Sequence, residues 1–207
     1  MIPVKVLAVQ FLANAAPSLC KALGAKSPCL GFLTTDCDDA TYLALDAATK
    51  AAQVEVAYGR SFYGGAANAT TPHAGEVLGI LSGPTPGAVK SGMEAALSTL
   101  KTVGFEEIRG VPCFAQTVSS VGTFLAKEAG VKPGSALAYL IAPPLESMVA
   151  LDGAMKAADV TLRKLYAPPT ETNFGGGLLS GTQSACQSAC DAFRQAVAEV
   201  AERPERM

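Results

Sequence analysis

The sequence predicts an α+β protein that contains two tandem copies of one domain. Short apolar segments of strand length and longer amphipathic segments follow one another without the regular alternation of a doubly wound sheet. The segment ALDAATKAAQV (44–54) returns 106 positions later as ALDGAMKAADV (150–160), with 8 of 11 residues identical. A duplicated domain accounts for both observations, and we expect its copies at residues 1–108 and 109–207.

The first copy reads as β-α-β-α-β-β-α. Its strands are short runs rich in β-branched and apolar residues, and Pro86 suits the first turn of its last helix. The helix that follows the second strand has an acidic first turn, as the helix dipole favours. The predicted strands are VKVLAVQF (4–11), CLGFLTT (29–35), VEVAY (54–58) and EVLGILS (76–82), and the helices are AAPSLCKAL, DDATYLALDAATKAA and TPGAVKSGMEAALSTLKTV.

The second copy repeats that order after a boundary near EEIRGVP (106–112). We expect a four-stranded mixed or antiparallel sheet in each copy. The motif LSG at residues 81–83 recurs at 179–181, only 98 positions later, because the loop after the third strand is eight residues longer in the first copy. The predicted strands are PCFAQTVSS, ALAYLIA, VTLRKLY and GLLS, and the helices are GTFLAKEAG, PLESMVALDGAMKAA and QSACQSACDAFRQAVAEVAE.

Composition excludes several kinds of partner. The net charge is −2, and no group of Lys and Arg exceeds the pair Arg163-Lys164, so we expect no nucleic acid. Although 49% of the residues are hydrophobic, no uninterrupted apolar stretch reaches the length of a membrane span, so we expect no membrane insertion. The apolar excess is better explained by an interface between subunits.

The residues of an enzyme site are missing from the sequence. His73 is the only histidine and lies in a glycine-rich loop, and no phosphate-binding glycine motif is present. Cys186 and Cys190 share one helix face, where two thiols alone make a poor zinc site and a good packing surface. We therefore expect no catalytic residue, no cofactor and no metal, with the cysteines present as reduced thiols.

An acidic run, Asp36, Asp38 and Asp39, allows two interpretations. Asp38 or Asp39 could cap the following helix by accepting hydrogen bonds from its first N–H groups. Alternatively, these carboxylates could be brought together with Glu76, which opens a strand after the long loop, and would then favour a small cation. The two interpretations are compatible, because a capping carboxylate retains a free oxygen.

The repeated pattern L-D-x-A-x-K-A-A-x-V, a helix that runs into a strand, resembles the shell domain of bacterial microcompartments. The whole chain is similar to tandem-domain shell proteins, in particular to the ethanolamine-utilisation branch of type L. The stretches that carry the resemblance are TTDCDDATYLALDAATKAAQVEVAYGRSFYGGAANA, AGEVLGIL, AYLIAPPLESMVALD, APPTETNF and LLSGTQSACQSACDAF.

The resemblance implies a non-enzymatic protein of the microcompartment shell in the bacterial cytoplasm. It implies a homotrimer that mimics a hexamer, lateral contacts with other shell proteins, and a central pore that gates metabolites. It also implies small pores that bind a polar metabolite such as ethanolamine. A small-molecule-binding regulatory protein with paired ferredoxin-like domains is the alternative.

The same resemblance assigns individual residues to three places. The small pore would contain Asp38, Asp39, Glu76, Phe105 and Thr172. The central-pore loops would contain Phe62, Tyr63, Gly64, Gly65 and Phe174. Lys50 and Lys156, which recur at the same position of the repeat, would lie at the edge where neighbouring tiles meet, since three chains must present six similar sides.

Overall fold

The computed structural model describes residues 1–62, 76–167 and 174–205. Within it the chain forms two compact units. The first unit contains residues 3–104 together with 122–125, and the second contains residues 1–2, 105–121 and 126–207. These are units of spatial contact, so the division of the sequence repeat at 108/109 stays a prediction.

The first unit is a four-stranded sheet with helices. Its strand order is β1-β2-β4-β3, and every neighbouring pair is antiparallel. Thr85 caps the third helix by accepting a hydrogen bond from the N–H of Ala88, and Pro86 follows in the first turn as predicted. The elements are β1 Val6–Leu12, α1 Pro17–Leu23, β2 Cys29–Thr35, α2 Asp38–Ala51, β3 Glu55–Ser61, β4 Val77–Gly83 and α3 Pro86–Leu100.

Glycines let α2 and α3 approach this sheet closely. A Cβ on Gly31 of β2 would lie 2.8 Å from Met93 Cγ of α3, and one on Gly79 of β4 would lie 2.9 Å from Leu45 Cδ1 of α2. Both contacts are too short for any side chain larger than hydrogen. Leu33, Leu45 and Leu81 fill this interface and are fully buried, so the sheet face under the helices is the core of the unit.

The second unit contains the second copy without residues 122–125, and one additional strand. Its sheet has five strands in the order β5-β6-β7-β9-β8, again antiparallel throughout. Cys186 and Cys190 lie fully buried in its core, which confirms their predicted packing role. The elements are β5 Glu106–Ile108, β6 Val111–Val118, α4 Thr123–Ala129, β7 Ala136–Ala142, α5 Pro144–Ala157, β8 Val160–Tyr166, β9 Gly175–Gly181 and α6 Gln183–Glu202.

The four strands expected in the second copy are present as β6, β7, β8 and β9, and the sheet gains β5 from the segment before residue 109. EEIRGVP, predicted as a boundary segment, forms most of a β5–β6 hairpin in which Ile108 pairs with Val111. Arg109 (φ 54°) and Gly110 (φ 81°) both adopt positive φ, as a two-residue hairpin turn requires. Arginine is uncommon at such a position, and this concealed the turn in the sequence.

The predicted order β-α-β-α-β-β-α is confirmed in both copies. Helices α2 and α5 both have 14 residues and begin 106 positions apart, whereas β4 and β9 begin 98 positions apart. The α+β class is confirmed with them. In the described part of the chain, no helix is both long enough and apolar enough to span a membrane.

Asp46 on α2 holds a segment of the second copy within the first unit. Its Oδ2 accepts a hydrogen bond from the N–H of Gly122 (2.7 Å), and its Oδ1 accepts one from the N–H of Leu125 (2.9 Å). The residue is only 1% exposed. Asp46 also forms an ion pair with Lys50 at 3.5 Å, in which the carboxylate is buried.

Replacing Asp46 by alanine should destabilise the protein. The change leaves two buried N–H groups without an acceptor, and we expect a loss of about 2–4 kcal/mol in the free energy of unfolding. Urea denaturation of both proteins measures this loss. Asp191→Ala, which removes an exposed aspartate, is the control and should change stability by less than about 0.5 kcal/mol. Equal denaturation midpoints for the two variants would contradict the structural role of Asp46.

Candidate functional site

Acidic residues gather where α2 begins. Asp38 and Asp39 are the first two residues of α2 and are 7% and 6% exposed. Asp36, just before the helix, accepts a hydrogen bond on Oδ1 from the N–H of Lys5 (2.8 Å). Strand β2 ends at Thr35, so the close of the strand and the start of the helix bring these carboxylates to one corner of the first unit.

Backbone hydrogen bonds bring Glu76 to the same corner. Its N–H donates to the carbonyl of Thr35 (2.8 Å), and its carbonyl accepts from the N–H of Phe62 (2.9 Å). Glu76 thus extends β4 by one residue, between the ends of β2 and β3. The sheet joins two acidic segments that lie about 40 residues apart in the sequence.

The carboxylates at this corner oppose one another electrostatically. Partial burial raises the pKa of Glu76, and the negative charges of Asp38 and Asp36 raise that pKa further. Burial and the same cluster, through Asp38 and Asp39, raise the pKa of Tyr42 to about 12, although hydrogen bonds with Ser61 act in the opposite direction. A positive charge placed here would be stabilised by the field that now disfavours ionisation of Glu76.

The capping interpretation holds only in part. The N-cap residue of α2 is Cys37, whose side chain makes no capping hydrogen bond. Asp38 Oδ1 accepts the N–H of Asp39 (2.9 Å), one of the first N–H groups of the helix. Burial and the charge of Asp39 raise the pKa of the Cys37 thiol, which therefore stays protonated. The acidic pair still complements the positive end of the helix dipole.

Tyr42 was missed in the sequence although a signal for it exists. It lies four residues after Asp38 and three after Asp39, so all three share one face of α2. Its hydroxyl donates to Ser61 Oγ (3.1 Å) and accepts from the N–H of Ser61 (2.8 Å), at the end of β3. The tyrosine thereby connects the first turns of α2 to the end of β3.

Phe105 and Phe174 lie together in the second unit. Their ring centroids are 5.6 Å apart, and Phe105 is also 5.2 Å from Phe114. The resemblance assigned Phe105 to the small pore and Phe174 to the central pore. Because the two rings are in contact, one aromatic cluster accounts for the position of both, and the two assignments stay predictions.

Of the other residues assigned to the two pores, Phe62 lies in the described part of the chain and is exposed. Phe62 is 41% exposed at the end of β3, and its side chain is among the larger exposed apolar groups. Tyr63, Gly64, Gly65, His73 and Thr172 lie outside the residues that the structure describes.

The two edge lysines occupy equivalent positions but differ in environment. The Lys156 side chain is 75% exposed and contacts Asp152 at 2.6 Å, and the Asp152 side chain is 60% exposed. The Lys50 side chain is 38% exposed and contacts the buried Asp46 at 3.5 Å. An ion pair between residues i and i+4 is therefore present in both copies, and the place of the two lysines at a tile edge stays a prediction.

Within ranges 1–62, 76–167 and 174–205, no three His, Cys, Asp or Glu residues form a group that could hold a metal ion. All six cysteines are free thiols. The candidate site is therefore the acidic corner formed by Asp36, Asp38, Asp39 and Glu76.

Comparison with known proteins gives consistent results. Residues 29–109 match the family model described as BMC domain. The chain is 54% identical over 205 residues to the bacterial microcompartment shell protein EutL of Clostridium perfringens (strain 13 / Type A), covering 96% of this chain and 94% of that protein. It is 45% identical over 179 residues to the EutL shell protein of Salmonella typhimurium, covering 84% and 82% respectively.

A solved structure is similar over the whole chain. The crystal structure of the ethanolamine utilization protein EutL from Leptotrichia buccalis superimposes with a TM-score of 0.96 at 54% identity. The match covers 100% of this chain and 98% of the other. The similarity therefore extends over both copies of the repeat.

The raised pKa of Glu76 predicts a pH-dependent effect of Glu76→Gln on stability. An acid whose pKa is higher in the folded state stabilises the fold below its ordinary pKa of about 4.3, and this contribution is lost as the pH rises through the folded value. At pH 7 the ionised Glu76 therefore costs stability, and Glu76→Gln should melt at a higher temperature than the wild type.

Thermal melting in phosphate buffer without amines measures the difference, which should vanish below about pH 4. The control is Glu94→Gln, which removes an exposed carboxylate from α3. A variant that melts at or below the wild-type temperature at pH 7 would contradict the electrostatics assigned to the acidic corner.

Proposed function

Since the chain belongs to the EutL family of bacterial microcompartment shell proteins, we propose that its acidic corner binds a small organic cation that crosses the shell. The chain is a structural protein of the microcompartment shell, in agreement with the resemblance noted in the sequence. Because the chain belongs to this family, we no longer consider the alternative of a regulatory protein. Its relatives are shell proteins, and we infer that this chain likewise performs no catalysis.

The proposed assembly is a homotrimer that packs beside other shell proteins. Each chain carries two copies of one fold, so three chains around an axis present six similar domains. Such a ring fills a position that a hexamer of single-domain chains would also fill. The 49% hydrophobic composition supports extensive contacts between subunits.

The raised pKa of Glu76 is the observation that carries the binding proposal. Partial burial and the charges of Asp38 and Asp36 raise this pKa, so a bound cation would relieve the repulsion among the carboxylates. Two opposite charges about 4 Å apart interact by about 4 kcal/mol before desolvation, at an effective dielectric constant near 20. Partial burial of Asp38 and Asp39 strengthens the attraction further.

The chemistry of the corner favours a small amine that also carries a hydroxyl group. Carboxylates accept hydrogen bonds from an ammonium group, and the Tyr42–Ser61 pair offers hydroxyl groups to a polar neighbour. Ethanolamine has both features, and the Leptotrichia relative is described as an ethanolamine utilization protein. A ligand this small supports a dissociation constant of about 1 mM, equivalent to about −4 kcal/mol.

Titration calorimetry with ethanolamine tests the proposal. We expect millimolar binding to the wild type and a loss of at least about tenfold in affinity for Glu76→Gln, because one of the converging charges is removed. Glu94→Gln should bind as the wild type does. Ethylene glycol, which has the same size without the charge, should give no heat. Equal heats for the two glutamine variants would exclude the acidic corner as the site.

The edge proposal has its own test. We expect the wild type to form extended sheets visible by electron microscopy, and Lys50→Gln combined with Lys156→Gln to leave the trimer intact but form no sheets, because both exposed ammonium groups are lost. Glutamine removes the charge of each lysine without reversing it. An aspartate at position 50 would instead place a second carboxylate beside the buried Asp46. Lys90→Gln on α3 is the control. Extended sheets in the double variant would rule out the edge assignment.

A further inference from the structure

One face of α5 is exposed and includes several apolar side chains. Leu145, Val149 and Met155 are 58%, 49% and 37% exposed, which is unusual for residues of their size. Together with Asp152 they fall within about 120° around the helix axis, at 3.6 residues per turn, and this side of the helix is called the α5 stripe below. The carboxylate of Asp152 contacts only Lys156 among the ion pairs of the described residues.

The equivalent stripe on α2 is buried. Counting back by the repeat offset of 106, these positions become Asp39, Leu43, Asp46 and Thr49. Asp39, Leu43 and Asp46 are 6%, 6% and 1% exposed. The same helix position is therefore covered in one copy and uncovered in the other.

Residues 122–125 cover the α2 stripe within the first unit. Besides the two hydrogen bonds to Asp46, the N–H of Thr123 donates to Thr49 Oγ1 (3.1 Å), and the ring of Phe124 lies 5.9 Å from that of Tyr42. Leu125 is 1% exposed. This four-residue segment and the α2 stripe form a complete interface, with apolar contact, a satisfied carboxylate and a close backbone approach.

The repeat supplies a second copy of the covering segment. Subtracting the same offset from 122–125 gives Ala16, Pro17, Ser18 and Leu19. All four are exposed, and Leu19, the equivalent of the buried Leu125, is 39% exposed. The N–H of Ala16 has no hydrogen-bond acceptor among the residues the structure describes.

We propose that the α5 stripe of one chain binds residues 16–19 of an adjacent copy of the same chain, with Asp152 accepting the N–H of Ala16. The proposal rests on the homotrimer proposed above and specifies how its subunits join. Both surfaces are exposed in the single chain, and each chain offers one of each. Such a head-to-tail interface closes into a ring and alternates with the equivalent contact inside each chain.

Differences between the two copies support this pairing, because they occur in matched pairs. Where the first unit pairs the N–H of Thr123 with the hydroxyl of Thr49, the proposed interface has Pro17, which has no N–H, and Met155, which has no hydroxyl. The donor and the acceptor are thus both absent, and neither is left without a partner.

A second pair compensates sterically. A Cβ on Gly122 would lie 2.2 Å from Thr49 Oγ1, so that position must be glycine in the first unit. Its counterpart Ala16 has a Cβ, but Thr49 is replaced by the unbranched and flexible Met155. The backbone carbonyl of Asp46 would also lie 2.6 Å from such a Cβ, so residues 16–19 must sit slightly further from α5.

The expected hydrogen bonds differ in one respect from those at Asp46. The N–H of Leu19 already donates to the carbonyl of Ala16 (3.0 Å) within its own turn, and would be shared with Asp152. The N–H of Ala16 is therefore the principal donor. Leu145 and Val149 provide the apolar part of the interface, where α2 has Asp39 and Leu43.

Asp152→Ala tests this interface, with Asp191→Ala as a matched control. Both aspartates are exposed and pair with a cation on their own helix, with side-chain exposures of 60% and 63%. Sedimentation velocity over a dilution series should show the dissociation constant of the trimer rising at least about tenfold for Asp152→Ala, because each interface loses a charge-assisted hydrogen bond. Asp191→Ala should match the wild type.

Hydrogen–deuterium exchange locates the effect. In the wild-type trimer the amides of residues 16 and 19 should be protected, and in Asp152→Ala they should exchange about tenfold faster at a concentration where the trimer persists. If the two alanine variants form equally stable trimers, or if exchange at these amides does not change, the proposed interface is overturned and the proposed homotrimer is not. A wild-type chain that sediments as a monomer would overturn both proposals.

Discussion

A buried carboxylate has to be satisfied by donors, and much of this molecule follows from how Asp46 meets that requirement. Its two oxygens accept the N–H groups of Gly122 and Leu125, which brings four residues of the second copy into the first unit. The close approach requires glycine at position 122, and the hydroxyl of Thr49 satisfies the N–H between the two hydrogen-bonded residues. Removing the carboxylate would leave the two buried N–H groups of Gly122 and Leu125 unpaired at once.

Duplication gives the same interaction a second site in every chain. Asp152 lies at the same place on its helix with the same lysine four residues later, but the chain itself does not cover it. The exposed apolar residues beside it would be a liability in a monomer and are suited to an interface. A fold that satisfies one such aspartate internally and exposes the other has a built-in reason to assemble with copies of itself.

The acidic corner differs from this interaction, since it brings like charges together. Backbone pairing places Glu76 beside the start of α2, and the resulting repulsion raises the pKa of Glu76. Repulsion of this kind costs stability, and a bound cation would recover that cost. The corner lies where β3 ends and β4 begins, so a site for a small molecule there would not disturb the core.

The sequence by itself determined the α+β class, the element order, the duplication and the family, because periodicity, spacing and repeated motifs are local or linear features. It also determined Asp38, Asp39 and Glu76 as candidates, through their residue types. Only the tertiary structure decided that Tyr42 joins them, that EEIRGVP forms a hairpin, and that Phe105 contacts Phe174. It also distinguished Asp46 from Asp152, which both follow a leucine and precede a lysine by four residues. Burial depends on which distant segment covers a residue, and an identical local pattern carries no record of that segment.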